Sequence, residues 1–185
     1  MNLNPSSNSK PELRREIRRR KAACPPEQLQ QLSAEVTRKL LSNPRWQQSR
    51  TLLLYHSLPD EVSTSALIQS AVEQGKRVLL PVVVGDDLEL REYNGEGCLA
   101  EGAFHIQEPQ GEAFEDYAAI DLAVIPGVAF SPEGARLGRG RGYYDRLLPR
   151  LSAAYKCGIC WPFQLLPSLP TEPHDVRMNE IIVCK

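Results

Sequence analysis

Residues 136–145 read Arg-Leu-Gly-Arg-Gly-Arg-Gly-Tyr-Tyr-Asp, with glycines at 138, 140 and 142 and arginines at 136, 139 and 141. Glycine lets the main chain approach a ligand closely, and arginine offers a planar fork of donors that matches phosphate oxygens. The apolar run Asp121-Leu-Ala-Val-Ile125 precedes the loop and ends at Pro126-Gly127. A helix is expected from about Tyr143, aiming its unpaired N–H groups at the same spot. Strand, glycine loop and helix in that order suit a polyphosphate. The alternative is a surface turn with a solvated basic rim.

The loop is neither of the common phosphate motifs. No G-x-x-x-x-G-K-[ST] occurs, and in the dinucleotide pattern G-x-G-x-x-G the third glycine is replaced by Tyr143. Three further places carry chemistry. Lys10 and Arg14 stand four apart on one helical face and could clamp phosphates, or could be part of a solvated basic face. Glu61 lies in an acidic turn, Leu58-Pro-Asp-Glu-Val, and His174-Asp175 lies in a proline-rich loop; taken alone, features of either kind are more often structural. Cys157-Gly-Ile-Cys160 has redox or zinc spacing, but it falls in a strand, where residues three apart face opposite sides. With no second pair to complete a zinc site, the two cysteines are read as core.

Pro126, Gly127 and Phe130, followed by Arg136, Leu137, Gly138, Gly140, Gly142, Tyr143, Tyr144 and Asp145, resemble the signature of the 5-formyltetrahydrofolate cyclo-ligase family, also called 5,10-methenyltetrahydrofolate synthetases. The resemblance implies ATP- and Mg²⁺-dependent closure of 5-formyltetrahydrofolate to 5,10-methenyltetrahydrofolate, with release of ADP and phosphate. It implies nucleotide contacts at Lys10, Arg14, Arg136, Leu137, Gly138, Arg139, Gly140, Arg141, Gly142, Tyr143 and Tyr144. Folate contacts would fall at Arg14, His56, Glu61, Arg139, Gly140, Arg141, Gly142 and Tyr143, with Glu61 on the pterin. Asp145 and Asp175 would hold magnesium. Arg139 and Arg141 are the candidates for stabilising the transferring phosphoryl group. Ser131, Arg177 and Asn179 depart from the family's usual residues. Similarity runs from Lys10 to Val183.

Several elements must position these groups. Ser9 and Glu12 have capping-box spacing, so a helix is expected over 10–23, ended by Pro25-Pro26. A second helix over 27–41 shows an apolar stripe at Leu29, Leu32, Val36 and Leu40. Strands are expected at 51–55, 77–84, 121–125, 155–161 and 181–183, with an alternating antiparallel strand at 88–93. A helix over 64–74 should end at Gly75, and one beginning near Tyr143 should stop at Pro149. Residues 94–117 are expected to be mostly loop, with a short helix near 113–118. This alternation predicts an α/β three-layer, Rossmann-like sandwich with a mostly parallel sheet and helices on both faces.

The 185 residues suffice for one domain over 10–185 behind a disordered N-terminus at 1–9. A net charge of −1 and 6% aromatics argue against a nucleic-acid binder. No run is long and apolar enough to span a membrane, and no secretory signal opens the chain, so the cytoplasm is the expected compartment. Five scattered cysteines are not a disulfide framework. We expect a monomer acting on small molecules. Two other classes stay open: a sugar-phosphate isomerase or CoA transferase on a similar fold, and a non-catalytic module using the basic N-terminal helix.

Overall fold

The computed structural model describes residues 9–102 and 107–184. The chain opens with helix α1 (Lys10–Ala22), where the Ser9 N–H and hydroxyl both donate to the Glu12 carboxylate. Helix α2 (Pro26–Leu41) buries Val36 and Leu40 from the expected stripe. Sequence reading missed α3 (Pro44–Gln48), although Asn43 caps it by accepting from the Arg45 N–H. Expectations for residues 1–8 lie outside the described residues.

The first strand, β1 (Thr51–Leu53), leads through α4 (Ser65–Glu73) to β2 (Arg77–Val84) and antiparallel β3 (Asp87–Glu92). Gly75 closes α4 at φ +68°, as expected. The described residues of 94–117 are largely irregular, as expected, but hold more than the one short helix expected. They include β4 (Leu99–Glu101) and β5 (Gln107–Pro109), an antiparallel pair, and a 3₁₀ turn at Tyr117–Ala119. Strands of three residues carry no readable alternation. Next come β6 (Leu122–Ile125) and a small hairpin of β7 (Ala129–Phe130) and β8 (Arg136–Leu137). The rest is α5 (Tyr143–Leu147), β9 (Tyr155–Cys160) and β10 (Glu180–Val183).

The main sheet runs β10-β9-β6-β1-β2-β3, parallel throughout except for β3. Alternation along the strands divides the core. Leu52, Val124 and Cys157 pack against α2, α3 and α4, while Leu53, Ile125 and Cys160 face Leu147, Leu148 and Leu151 on the other side. The two cysteines of the C-x-x-C thus lie on opposite faces, and burial pushes the Cys160 thiol up to about 12. Both are core residues.

Helix α1 stands apart from these layers. Leu13 and Ile17 are its buried anchors, and they meet Ala129, Leu137 and Leu166 around the β7–β8 hairpin. Burying two such side chains stabilises the docked helix by roughly 3–6 kcal/mol before entropy is subtracted. The helix is therefore placed by a small apolar contact and by the polar ties of the site.

Candidate active site

From β1 the chain moves outward in one direction to β2, and from β6 in the other to β9 and β10. The sheet therefore reverses its winding between β1 and β6. Doubly wound sheets bind ligands outside the carboxyl ends of the strands at such a point. A cavity of about 500 Å³ opens there, between Tyr55 and His56 after β1 and Pro126 and Gly127 after β6. Pro81, Val83 and Leu88 form an apolar end, and Arg136, Arg139 and Arg141 bring charge to the same cavity. Volume and contrast suit a ligand with a flat organic part and an anionic part.

The glycine loop is shaped as its sequence requires, with φ +100° at Gly140 and φ +75° at Gly142. A side chain at either position would be strained. Helix α5 is shorter than expected at five residues, and a 3₁₀ turn replaces it at Leu148–Arg150, where Pro149 removes a donor. So short a helix contributes little dipole. Anion-binding capacity rests on the arginines and on the loop's backbone.

Arg136, Arg139 and Lys10 each face carboxylates. Arg136, only 5% exposed, donates to Asp145 Oδ1 at 2.5 Å and to the Pro126 carbonyl at 3.2 Å. Burial pushes this guanidinium below the ordinary arginine range, while the charges of Asp145 and Asp175 oppose the fall. Arg139 bridges Asp60 and Glu61, and Lys10 reaches Glu172 at 2.7 Å and Asp175 at 3.5 Å. Arg14 Nε donates to the Gly138 carbonyl at 2.8 Å, which ties α1 to the glycine loop. Burial acts against the Asp60 carboxylate, yet hydrogen bonds from Arg139 and Lys21 bring it down to about 2. Burial, helped by the Glu61 charge, raises the phenols of Tyr55 and Tyr144, so both stay protonated near neutrality.

The β1 loop holds Glu61 by local bonds. Thr64, fully buried, donates through Oγ1 to the Tyr55 carbonyl and exchanges bonds with Ser57, and Glu61 Oε2 accepts from the Leu58 N–H at 3.0 Å. The His56 Nε2 atom is buried without a partner, and burial lowers its pKa.

Of the residues singled out by sequence, His56, Glu61, Arg136, Gly138, Arg139, Gly140, Arg141, Gly142, Tyr143, Tyr144 and Asp145 line the cavity. Lys10, Arg14 and Asp175 do not. Arg14 lines a second cleft of about 160 Å³ beside α1, and Lys10 and Asp175 pair with each other. Leu137 turns its side chain into the α1 core, 2% exposed, so only its main chain could meet a ligand. Sequence reasoning missed Asp60 and Lys21, whose bond joins residues 39 apart in the chain. It also missed Glu108, a buried acid on the cavity wall that accepts from the Val83 N–H. Two departures have plain local roles. Asn179 exchanges hydrogen bonds with the Lys156 main chain, and Arg177 donates to the Glu133 carbonyl.

A doubly wound α/β sheet with an arginine–glycine loop at its switch point defines a Rossmann-like fold with a basic site at its crevice. Known proteins narrow the class. The sequence profile of the 5-formyltetrahydrofolate cyclo-ligase family matches residues 6–184, and the chain belongs to that family. It is a ligase. A 5-formyltetrahydrofolate cyclo-ligase of Mycolicibacterium smegmatis is 33% identical over 97% of this chain and 96% of that protein. The solved 5,10-methenyltetrahydrofolate synthetase of Aquifex aeolicus superposes with a TM-score of 0.84 at 34% identity, covering 94% of this chain and 89% of that one. The corresponding Mycoplasma pneumoniae synthetase gives 0.77 at 26% identity, covering 95% and 98%.

Proposed function

We propose that the protein closes 5-formyltetrahydrofolate to 5,10-methenyltetrahydrofolate, consuming ATP and releasing ADP and phosphate. The observation that carries this is one cavity with an apolar end beside a glycine loop bearing three arginines. A formamide is a poor electrophile because its nitrogen donates into the carbonyl. Transfer of the γ-phosphoryl group to the formyl oxygen makes that oxygen a leaving group and the carbon iminium-like. The neighbouring N10 then attacks within the same molecule, gaining from proximity, and loss of phosphate leaves the methenyl bridge.

The chain's own part is positioning and electrostatics. Glu61 offers a carboxylate to the paired N–H donors of the pterin. Arg139 and Arg141 meet the charge that develops on the transferring group. Arg14 and Lys10 approach from α1 to clamp phosphates. The remaining cations of α1 favour this reading over nucleic-acid binding, because Arg19, Arg20 and Lys21 pair with carboxylates of the chain itself.

Among the described residues no three His, Cys, Asp or Glu side chains cluster as a metal cage. Asp145 on the cavity wall and Asp175, paired with Lys10, offer oxygen ligands of the kind that would suit Mg²⁺. That ion takes one or two carboxylates and completes its shell with water and phosphate oxygens. When bound, it would neutralise phosphate charge. Asp145→Asn and Asp175→Asn are each expected to raise the Mg²⁺ concentration for half-maximal rate at saturating ATP, with circular dichroism unchanged. Unaltered Mg²⁺ dependence in both would leave the two acids a purely structural role.

Incubation with 5-formyltetrahydrofolate and Mg²⁺, with and without ATP, tests the function itself. Methenyl absorbance should rise only with ATP, with one ADP formed per product. Equal product without nucleotide would rule the mechanism out.

A further inference from the structure

Asp60 sits beside Glu61 in the acidic turn and Lys21 lies on the basic helix α1; Asp60 grips the arginine on which the proposed chemistry leans, and Lys21 holds Asp60. Arg139 lies between Gly138 and Gly140, and its side chain is 45% exposed, so neither backbone nor packing fixes it. Carboxylates do. Its Nη2 donates to Asp60 Oδ1 at 2.5 Å and its Nη1 to Asp60 Oδ2 at 3.3 Å. Along its other edge, Nε and Nη2 donate to Glu61 Oε1 at 3.1 and 2.9 Å. These contacts engage four of the five N–H groups a guanidinium owns. Asp60 is fixed in turn from α1, where Lys21 Nζ donates to its Oδ2 and its carbonyl, both at 2.7 Å.

The two acids differ in the spaces they reach. Glu61 and Arg139 line both the main cavity and the smaller cleft behind it, whereas Asp60 and Lys21 line only the cleft. We propose that Lys21 and Asp60 are positioning residues that hold one edge of Arg139, so that a ligand claiming Glu61 frees the other edge toward the cavity. Arg139 then pivots in place instead of swinging into solvent. An isolated exposed ion pair would do little of this, but here two cations from separate elements converge on one carboxylate, and such networks outperform single pairs. The inference takes the task of Arg139 from the proposed function. The grip on Arg139 is independent of that reading.

Two measurements separate the questions. In ¹⁵N-labelled protein, the Arg139 Nε–H signal, assigned by its loss in Arg139→Lys, should show backbone-like order from its heteronuclear NOE. Asp60→Asn and Lys21→Met should lower that order, while Glu61→Gln should keep it, because the Asp60 edge persists. In the coupled assay at saturating substrates, Asp60→Asn and Lys21→Met should each lower kcat ~10-fold or more, within the ~10²-fold that a small misplacement can cost. KM for both substrates should move less than about three-fold, since binding contacts are retained. Asp60→Glu should restore part of the rate. The double variant should be no slower than Asp60→Asn alone, because Lys21 acts through Asp60. Unchanged Arg139 order in Asp60→Asn, additive rate losses, or an effect confined to KM would each overturn the proposal. Should Asp60→Asn fail to fold, Lys21→Gln gives the same readings from the more distant end of the chain of contacts. If wild-type protein forms no methenyl product with ATP, the proposed function fails, and the NMR arm still decides what holds Arg139.

Discussion

Arg139→Ala and Arg141→Ala are each expected to lower kcat by ~10²-fold or more, the scale on which enzymes lose a preorganised transition-state donor. Both side chains line the cavity beside glycines that let the loop approach a phosphate. Lysine should rescue only partly, because it keeps the charge and loses the planar fork. Arg139→Ala carries a second effect, since Asp60 and Glu61 would lose the cation they share and stand as neighbouring negative charges. A fall in thermal stability is therefore expected for Arg139→Ala, smaller at high salt, where exposed charges are screened. Steady-state kinetics with both substrates saturating decide the matter. Near wild-type turnover in both alanine variants would return the arginines to a solvated rim.

Phe130→Ala is expected to cost ~3–5 kcal/mol of stability, among the largest single losses the core can suffer. The ring is fully buried and fills the space between two glycines. A methyl group on Gly127 would come within 2.5 Å of its Cζ, and one on Gly158 within 2.5 Å of its Cε1. Its carbonyl also accepts from the Leu166 N–H. Truncation opens a cavity beneath the Pro126-Gly127 turn, the floor of the site. Gly158→Ala approaches the same ring from β9 and should cost ~1–3 kcal/mol through overpacking. Phe130→Leu combined with Gly158→Ala should cost less than the sum, because the smaller side chain yields room to the new methyl. Urea unfolding measures all three, and a Phe130→Ala cost below about 1 kcal/mol would contradict this account.

These two residues also show why the sequence could be read so far. Phe130, Gly127 and the loop glycines are constrained by backbone and packing within a few residues, and constraints of that kind leave a local spelling. The parallel sheet was legible for the same reason, since β2 and β6 are apolar runs bounded by turn residues. The pair β4–β5 was not, because its strands are only three residues long. Asp60 and Lys21 escaped notice on other grounds. Each is an ordinary surface residue by type, and only the fold brings α1, the β1 loop and the glycine loop together. His56 and Glu61 entered through family likeness, and nothing in their immediate neighbours alone marks them.

Helix α1 has a temporal consequence. It precedes every other described element, and apart from Asp60 for Lys21 its distant partners come far later: Gly138 for Arg14, Phe163 for Arg20, Glu172 and Asp175 for Lys10. Its apolar anchors wait for Ala129, Leu137 and Leu166. At about 5–20 residues per second, the helix spends on the order of ten seconds without a place to dock. Its dense basic face suits that interval, because a strongly charged helix with only two buried apolar residues stays soluble while undocked. The earliest described helix is thus among the last parts of the candidate site to fall into place.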